Sequence, residues 1–273
     1  MPRAPARGYL LSVAIFCTLA ESVFASEKFS IPEKSIQKHF ADHPGAFVMM
    51  NCKTHEISRF NESGCKEKLP PCSTFKIWNT LIGIETREIQ SEDELFYKWD
   101  GVQRSIPDWN KDLTLSEAFK VSCVPAFQAL ARKIGADRMK QWIQKIHYGD
   151  ENVSAGIDTF WLPAVGRKNL LISPNQQANM ICQLANGFLP FSEKSRSIVK
   201  EIIRVKRTEK GILYGKTGTG TSAEGKYNMG WFVGYVESKQ QVYAFACVIK
   251  GINVMGKNAR SIVENLLSEQ NLL

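Results

Sequence analysis

The sequence predicts an α/β protein of the α+β type: one antiparallel sheet flanked by N- and C-terminal helices, with a helical lobe inserted into it. Three observations predict this. Strand-like sequence falls towards the two ends of the chain, in two runs before residue 64 and three after residue 213. The stretch between them carries helix-start signals and apolar residues at helical spacing. The end strands must then share one sheet, which leaves the middle as an insertion and puts a cleft between two lobes. The 273 residues, 44% of them hydrophobic, suffice for one substantial core.

Residues 1–25 read as a removable export leader. Arg3 and Arg7 give a positive start, Tyr9 to Ala20 is a short apolar run, and Val23-Phe24-Ala25 offers small residues where such leaders are cut. About 12 apolar residues are too few for the roughly 20 that span a bilayer. The mature domain is then 26–273. AFVMMNCKT (46–54) and HEISRFNES (55–63) read as two strands with a turn near Lys53 to His55. Pro70 and Pro71 hold the chain extended, and a helix starts at Ser73 with Phe75, Ile77, Trp78, Leu81 and Ile82 along it. Thr114-Leu-Ser-Glu117 is a capping box that opens a helix running towards Gly135. Ser173-Pro174-Asn-Gln176 opens another, stopped by Gly187. The helical lobe covers about 85–190 on this reading. Lys194 to Lys210 places Ile198, Val199, Ile202 and Ile203 at helical spacing, so its lysines and arginines read as the solvated face of an amphipathic helix rather than a nucleic-acid surface. YGKTGTG (214–220), NMGWFVGYVES (228–238) and QVYAFACVIK (241–250) read as three strands, and Ala259 to Leu272 as the last helix.

The formal net charge is +8, which suits an anionic partner: a polymer, a membrane surface or a small acidic substrate. Beyond the leader no segment is apolar enough to span a membrane, so stable membrane association is not expected. Of the seven cysteines, Cys17 lies in the leader. Cys52 and Cys65 flank the first hairpin and could pair, a question the sequence leaves open. Cys182 and Cys247 sit in apolar runs and read as buried thiols. No CxxC occurs, and His39, His43, His55 and His147 show no metal-ligand spacing, so no metal is expected.

Ser73 and Lys76 lie three residues apart, close to one helical turn, and so share a face. The spacing alone says little, since Ser35/Lys38, Ser63/Lys66 and Ser197/Lys200 repeat it. Context separates the pair. Ser73 falls at a helix N-terminus, where free N–H groups favour negative charge. Apolar surroundings would keep the lysine uncharged, and an uncharged amine can take a proton from a neighbouring hydroxyl. Ser122, inside KVSCVPAFQALARKIG, is a mid-helix serine beside Pro125, which bends the helix and could turn the hydroxyl into a cleft. Lys216-Thr217-Gly218 sits on a glycine-containing strand whose backbone a substrate can approach.

Together, Ser73-Thr-Phe-Lys76, Ser122-Cys-Val124 and Lys216-Thr-Gly218 resemble the motifs of the penicillin-recognising serine enzymes. Ser-Cys-Val in place of Ser-Asp-Asn points away from class A, and the chain is similar to the class D serine β-lactamases, the oxacillinases. Lys98-Trp99-Asp100-Gly101, Tyr148-Gly149-Asp150, Trp161, Gly230-Trp231-Phe232 and Arg260 look like further landmarks of that family, so the resemblance covers nearly all of the mature chain.

The resemblance implies the penicillin-recognising serine enzyme fold and hydrolysis of β-lactam antibiotics in the periplasm. It implies Ser73 as the acylated nucleophile and Lys76 as N6-carboxylysine, a general base formed with carbon dioxide and no other cofactor. Trp161 would hold the carbamate, Val124 shield it, and Ser122 relay a proton. The backbone N–H groups of Ser73 and Thr219 would stabilise the oxyanion. Lys216, Thr217, Gly218, Thr219 and Arg260 would bind substrate, with Arg260 on its carboxylate. Two residues depart from the pattern. Asp150 stands where Asn is usual, and Thr219 where an aromatic is common; Thr219 implies a more open, polar cleft wall. Cys72, beside the nucleophile, is expected to be buried. The competing readings are a β-lactam sensor domain that acylates without turnover and a peptidoglycan D,D-peptidase. No nucleic acid is expected as a partner, and the resemblance leaves monomer and homodimer open.

Overall fold

The structure is a computed structural model that describes Met1 and residues 29–273 apart from 165 and 223. The expected leader therefore lies outside the described residues. The chain order is α1 (Glu33–Gln37), β1 (Gly45–Asn51), β2 (Ile57–Phe60), α2 (Glu62–Lys66), α3 (Lys76–Glu85), β3 (Leu95–Tyr97), β4 (Leu113–Thr114), α4 (Leu115–Lys120), α5 (Val124–Ile134), α6 (Ala136–Lys145), α7 (Pro174–Ala185), α8 (Glu193–Ile202), β5 (Arg204–Arg207), β6 (Gly211–Thr221), β7 (Tyr227–Ser238), β8 (Gln241–Lys250) and α9 (Gly256–Glu269).

Six strands form one antiparallel sheet in the order β2-β1-β8-β7-β6-β5. The last strand of the chain thus lies between the first strand and β7. Side chains alternate between the two faces of each strand. Phe47, Met49, Phe245 and Cys247 face α1 and α9, where Ile36, Ile262, Val263 and Leu266 bury them. Ala46, Val48, Ala244 and Ala246 face the other way, against Ala178, Ile181 and Cys182 of α7. Burying one such Phe or Leu stabilises the fold by about 1.5–3 kcal/mol. β7 and β8 are covered on both faces, so their sequences read as unbroken apolar runs; β8 was legible to its last residue.

Three expectations change. The helix expected from Thr114 to Gly135 is two helices. Thr114 and Glu117 do form the capping box, but α4 ends at Lys120. The Ser122 N–H donates to the Phe119 carbonyl at 3.1 Å and the Cys123 N–H to the Ala118 carbonyl at 2.8 Å, the paired bonds that close a helix C-terminus. Pro125 does not bend a helix; it sits in the first turn of α5, where its missing N–H has no intrahelical partner to lose. Ser122 is therefore a helix-terminating residue with φ +55°, not a mid-helix one.

The basic tract is helical only to Ile202. Arg204 to Arg207 form edge strand β5, which pairs with β6 up to Tyr214 and carries charged side chains as exposed edges do.

Cys52 does not pair with Cys65. It is bonded to Cys182 of α7, with Cα atoms 5.4 Å apart, well within disulfide reach. Cys182 is thus not a free thiol. Cys52 follows β1, and α7 lies across β1, so sheet packing brings together two cysteines 130 residues apart. Cys65 is a buried thiol that donates to the Phe47 and Phe60 carbonyls. Cys247 is a buried thiol as expected, and so are Cys72 and Cys123.

Candidate active site

Ser73 lies in a 3-10 turn, Cys72–Phe75, that runs straight into α3. The chain enters it through Cys72, whose φ of +52° is a left-handed conformation that side chains disfavour. A bond from the Cys72 N–H to the Trp161 carbonyl, 3.1 Å, holds it there. A buried relay fixes the turn from below. The Tyr148 hydroxyl donates to Gln177 Oε1, Gln177 Nε2 to Thr74 Oγ1, and Thr74 Oγ1 to the Pro71 carbonyl, at 3.3, 3.0 and 2.7 Å.

Lys76, on the first turn of α3, has no solvent exposure. Its Nζ donates to Ser73 Oγ at 2.7 Å and lies 3.2 Å from both the carbonyl oxygen and Oγ of Ser122. Lys216 Nζ reaches the same Ser122 Oγ from β6, at 3.0 Å. Ser122 thus bridges two lysines, one of which touches Ser73. The αL turn after α4 is what delivers its hydroxyl. Burial holds the Lys76 ammonium well below the usual lysine range, and the positive charge of Lys216 adds to the effect. Burial also brings Lys216 down to about 7. An uncharged amine against a hydroxyl is the arrangement that general-base activation of a nucleophile needs.

Trp161 stacks on Phe75 with ring centroids 5.5 Å apart, and its indole N–H is buried without a partner among the described residues. A buried donor left unpaired costs about 1–3 kcal/mol, so this one calls for an acceptor. A carbamate on Lys76 would bring carboxylate-type oxygens, and the orphan donor fits that group. Val124 begins α5, half-buried, two residues after Ser122.

Beyond Tyr214, the edge of β6 away from β7 has no strand partner among the described residues. Gly218 lies on this stretch, and a Cβ there would stand 3.1 Å from the Pro71 carbonyl, so glycine lets β6 pack against the Ser73 turn. Thr219 points the other way, and its Oγ1 accepts from the Gly256 N–H at the start of α9 (3.0 Å). Its hydroxyl ties strand to helix. Arg260, one turn further along α9, donates to Glu264 at 2.7 Å and lines a cleft of about 430 Å³ together with Lys216 and Thr217.

All the residues singled out in the sequence except Val124 and Arg260 are linked directly to the Ser73 turn or to β6, Trp161 through the Cys72 N–H and the Phe75 ring; those two flank it. Asp150 serves the backbone: its Oδ1 accepts from Leu171 N at 3.0 Å, pairing the 148–150 turn with the segment after Trp161. Sequence reading missed Gln177 and Phe119, whose ring lies 5.6 Å from Lys216 Nζ. Gln177 had a signal: it is polar at a position in line with Ile181 and Leu184, the buried stripe of α7. Among the described residues no cluster of potential metal ligands occurs.

A sheet backed by α9, with a half-buried serine on a buried lysine facing the KTG strand, defines a penicillin-recognising serine enzyme, and residues 45–268 match the penicillin binding protein transpeptidase domain family. Over 258 residues the chain is 33% identical to the probable β-lactamase YbxI of Bacillus subtilis, covering 94% of this chain and 92% of that one. It is 39% identical over 208 residues to the β-lactamase OXA-10 of Pseudomonas aeruginosa, 74% of each chain. The solved structure of FUS-1 (OXA-85), a class D β-lactamase from Fusobacterium nucleatum subsp. polymorphum, superposes with a TM-score of 0.82 at 32% identity, over 89% of this chain and all of that one. The chain belongs to the class D serine β-lactamases. Among the described residues no helix is long and apolar enough to cross a membrane.

Proposed function

We propose that this protein hydrolyses β-lactam antibiotics through an acyl-enzyme on Ser73. The observation that carries the reading is Lys76 Nζ, buried and 2.7 Å from Ser73 Oγ. Ser73 Oγ attacks the ring carbonyl and loses its proton towards Lys76. The ring C–N bond breaks as the Ser122 hydroxyl, between Lys76 and Lys216, passes a proton to the leaving nitrogen. The Ser73 and Thr219 N–H groups donate to the oxyanion. Lys216, Thr217 and Arg260 receive the ring carboxylate, and Gly218 keeps β6 close to Ser73.

In this reading Lys76 and Trp161 hold a carbamate made from carbon dioxide, with Val124 shielding it. The bound group supplies a carboxylate-like base for both half-reactions. The orphan Trp161 donor and the depressed basicity of Lys76 support it, because carbon dioxide adds only to the uncharged amine. The leader-like residues 1–25 support export to the periplasm, where peptidoglycan synthesis is the target of these drugs.

Nitrocefin turnover separates this reading from a sensor or a peptidase. The wild type is expected to turn over many equivalents, whereas Lys76→Ala should acylate slowly and then stall as the acyl-enzyme, with turnover lower by about 10²-fold or more. Activity lost on acidic dialysis free of carbon dioxide should return with bicarbonate. Rapid turnover by Lys76→Ala would sink the base assignment; one equivalent of product from the wild type would make the protein a receptor or a peptidase, and cleavage of a D-alanyl-D-alanine peptide would mark the peptidase.

A further inference from the structure

The cleft that holds Lys216, Thr217 and Arg260 does not end at the ring-carboxylate position. It continues past the end of β5 and under α4 to Lys120 and Arg204. Four cations line it, against one carboxylate, Glu201. Arg204 pairs with Glu201 at 2.9 Å and Arg260 with Glu264 at 2.7 Å, while Lys120 makes no ion pair among the described residues. Between these charges the cleft presents Ser116 and the half-buried Ile202 and Val205, with Phe119 and Phe232 buried behind them. A mixed polar and apolar slot with the exposed, unpaired ammonium of Lys120 at its far end suits a ligand with a flat body and an anionic tip.

We propose that this extension is a second anion subsite, in which Lys120 binds β-lactams that carry a further negative group on the substituent next to the ring carboxylate. The inference rests on β-lactams being the substrates. In a cephalosporin the C3 substituent leaves the ring beside the C4 carboxylate. With that carboxylate on Thr217 and Arg260, the substituent enters the slot and its outer end meets Lys120. Arg204, already neutralised by Glu201, contributes shape more than charge. Lys120 also lies in the last turn of α4, where a cation complements the helix dipole. That role affects stability and is blind to substrate charge, so paired substrates separate the two.

Cefonicid and cefamandole provide the pair: they share an acyl side chain and a tetrazole at C3, and differ by a sulfonate on the tetrazole. For the wild type at low salt, KM should be about threefold lower for cefonicid, the size an exposed ion pair supplies. The ratio should approach one in about 0.5 M salt, which screens such pairs. Lys120→Glu should reverse the preference, and Lys120→Arg should keep it. Equal KM values in the wild type, or a preference untouched by Lys120→Glu, would overturn the subsite. Failure of the hydrolytic reading looks different: both compounds would label Ser73 once without turnover. The preference is then read from the two acylation rate constants, which decides the subsite independently.

Discussion

Ser122 occupies a backbone position that suits glycine, closing α4 in the left-handed region at φ +55°. The cost is about 1 kcal/mol relative to a glycine there. The return is geometric, since the same turn holds its hydroxyl 3.2 Å from Lys76 and 3.0 Å from Lys216. Ser122→Gly should therefore gain up to about 1 kcal/mol of stability, read from urea midpoints, and lose most nitrocefin turnover. Retained turnover would remove Ser122 from the proton path. Cys72 shows the same compromise next to Ser73. The residue types of this site were legible in the sequence, because Ser73, Lys76 and Lys216 sit in motifs whose chemistry explains them. The conformations of Ser122 and Cys72 were not. A positive φ on a non-glycine residue is imposed by neighbours distant in the chain, here Trp161 for Cys72, and leaves no local mark.

At the scale of elements, the Ser73 turn hangs on α7, a helix that carries none of the candidate site residues. Gln177 of α7 links Tyr148 to Thr74, and all three are buried. Gln177→Leu removes a donor and an acceptor at once and leaves Tyr148 and Thr74 without their partner, a loss of about 1–3 kcal/mol. It should also lower kcat, as the 72–75 turn loses its fixed relation to Lys76. Unchanged melting temperature and kcat together would show the relay to be dispensable. Element legibility followed burial. β7, β8 and α7 announced themselves through long apolar runs or a capping box. β3 and β4, of three and two residues, carry too little pattern to be read. β5 was hidden because its charged residues continue the texture of α8 before it.

At the scale of the whole molecule, the Cys52–Cys182 bond joins the sheet to the lobe packed on it and closes a loop of 130 residues. A constraint of that length is worth roughly 2–4 kcal/mol when the bond is formed. Unfolding of the wild type in urea should therefore move to lower midpoint when a reductant is added, and the Cys182→Ser variant should show no such response. An equal midpoint in both redox states would mean the bond adds nothing. The pairing was invisible in sequence because it follows from α7 crossing β1, a tertiary fact, whereas the hairpin that suggested Cys65 is local. The strand order has a consequence in time. β8 lies between β1 and β7, so the first strand to leave the ribosome waits for the last one before it has an inner neighbour. Ser73 is synthesised early, yet Lys216 and Arg260 reach it only when the final quarter of the chain has been made. Pairings this distant in sequence form slowly. The cleft between Ser73, Lys216 and Arg260 is consequently among the last parts of the molecule to form, and a growing chain cannot hold the complete site until its synthesis is almost complete.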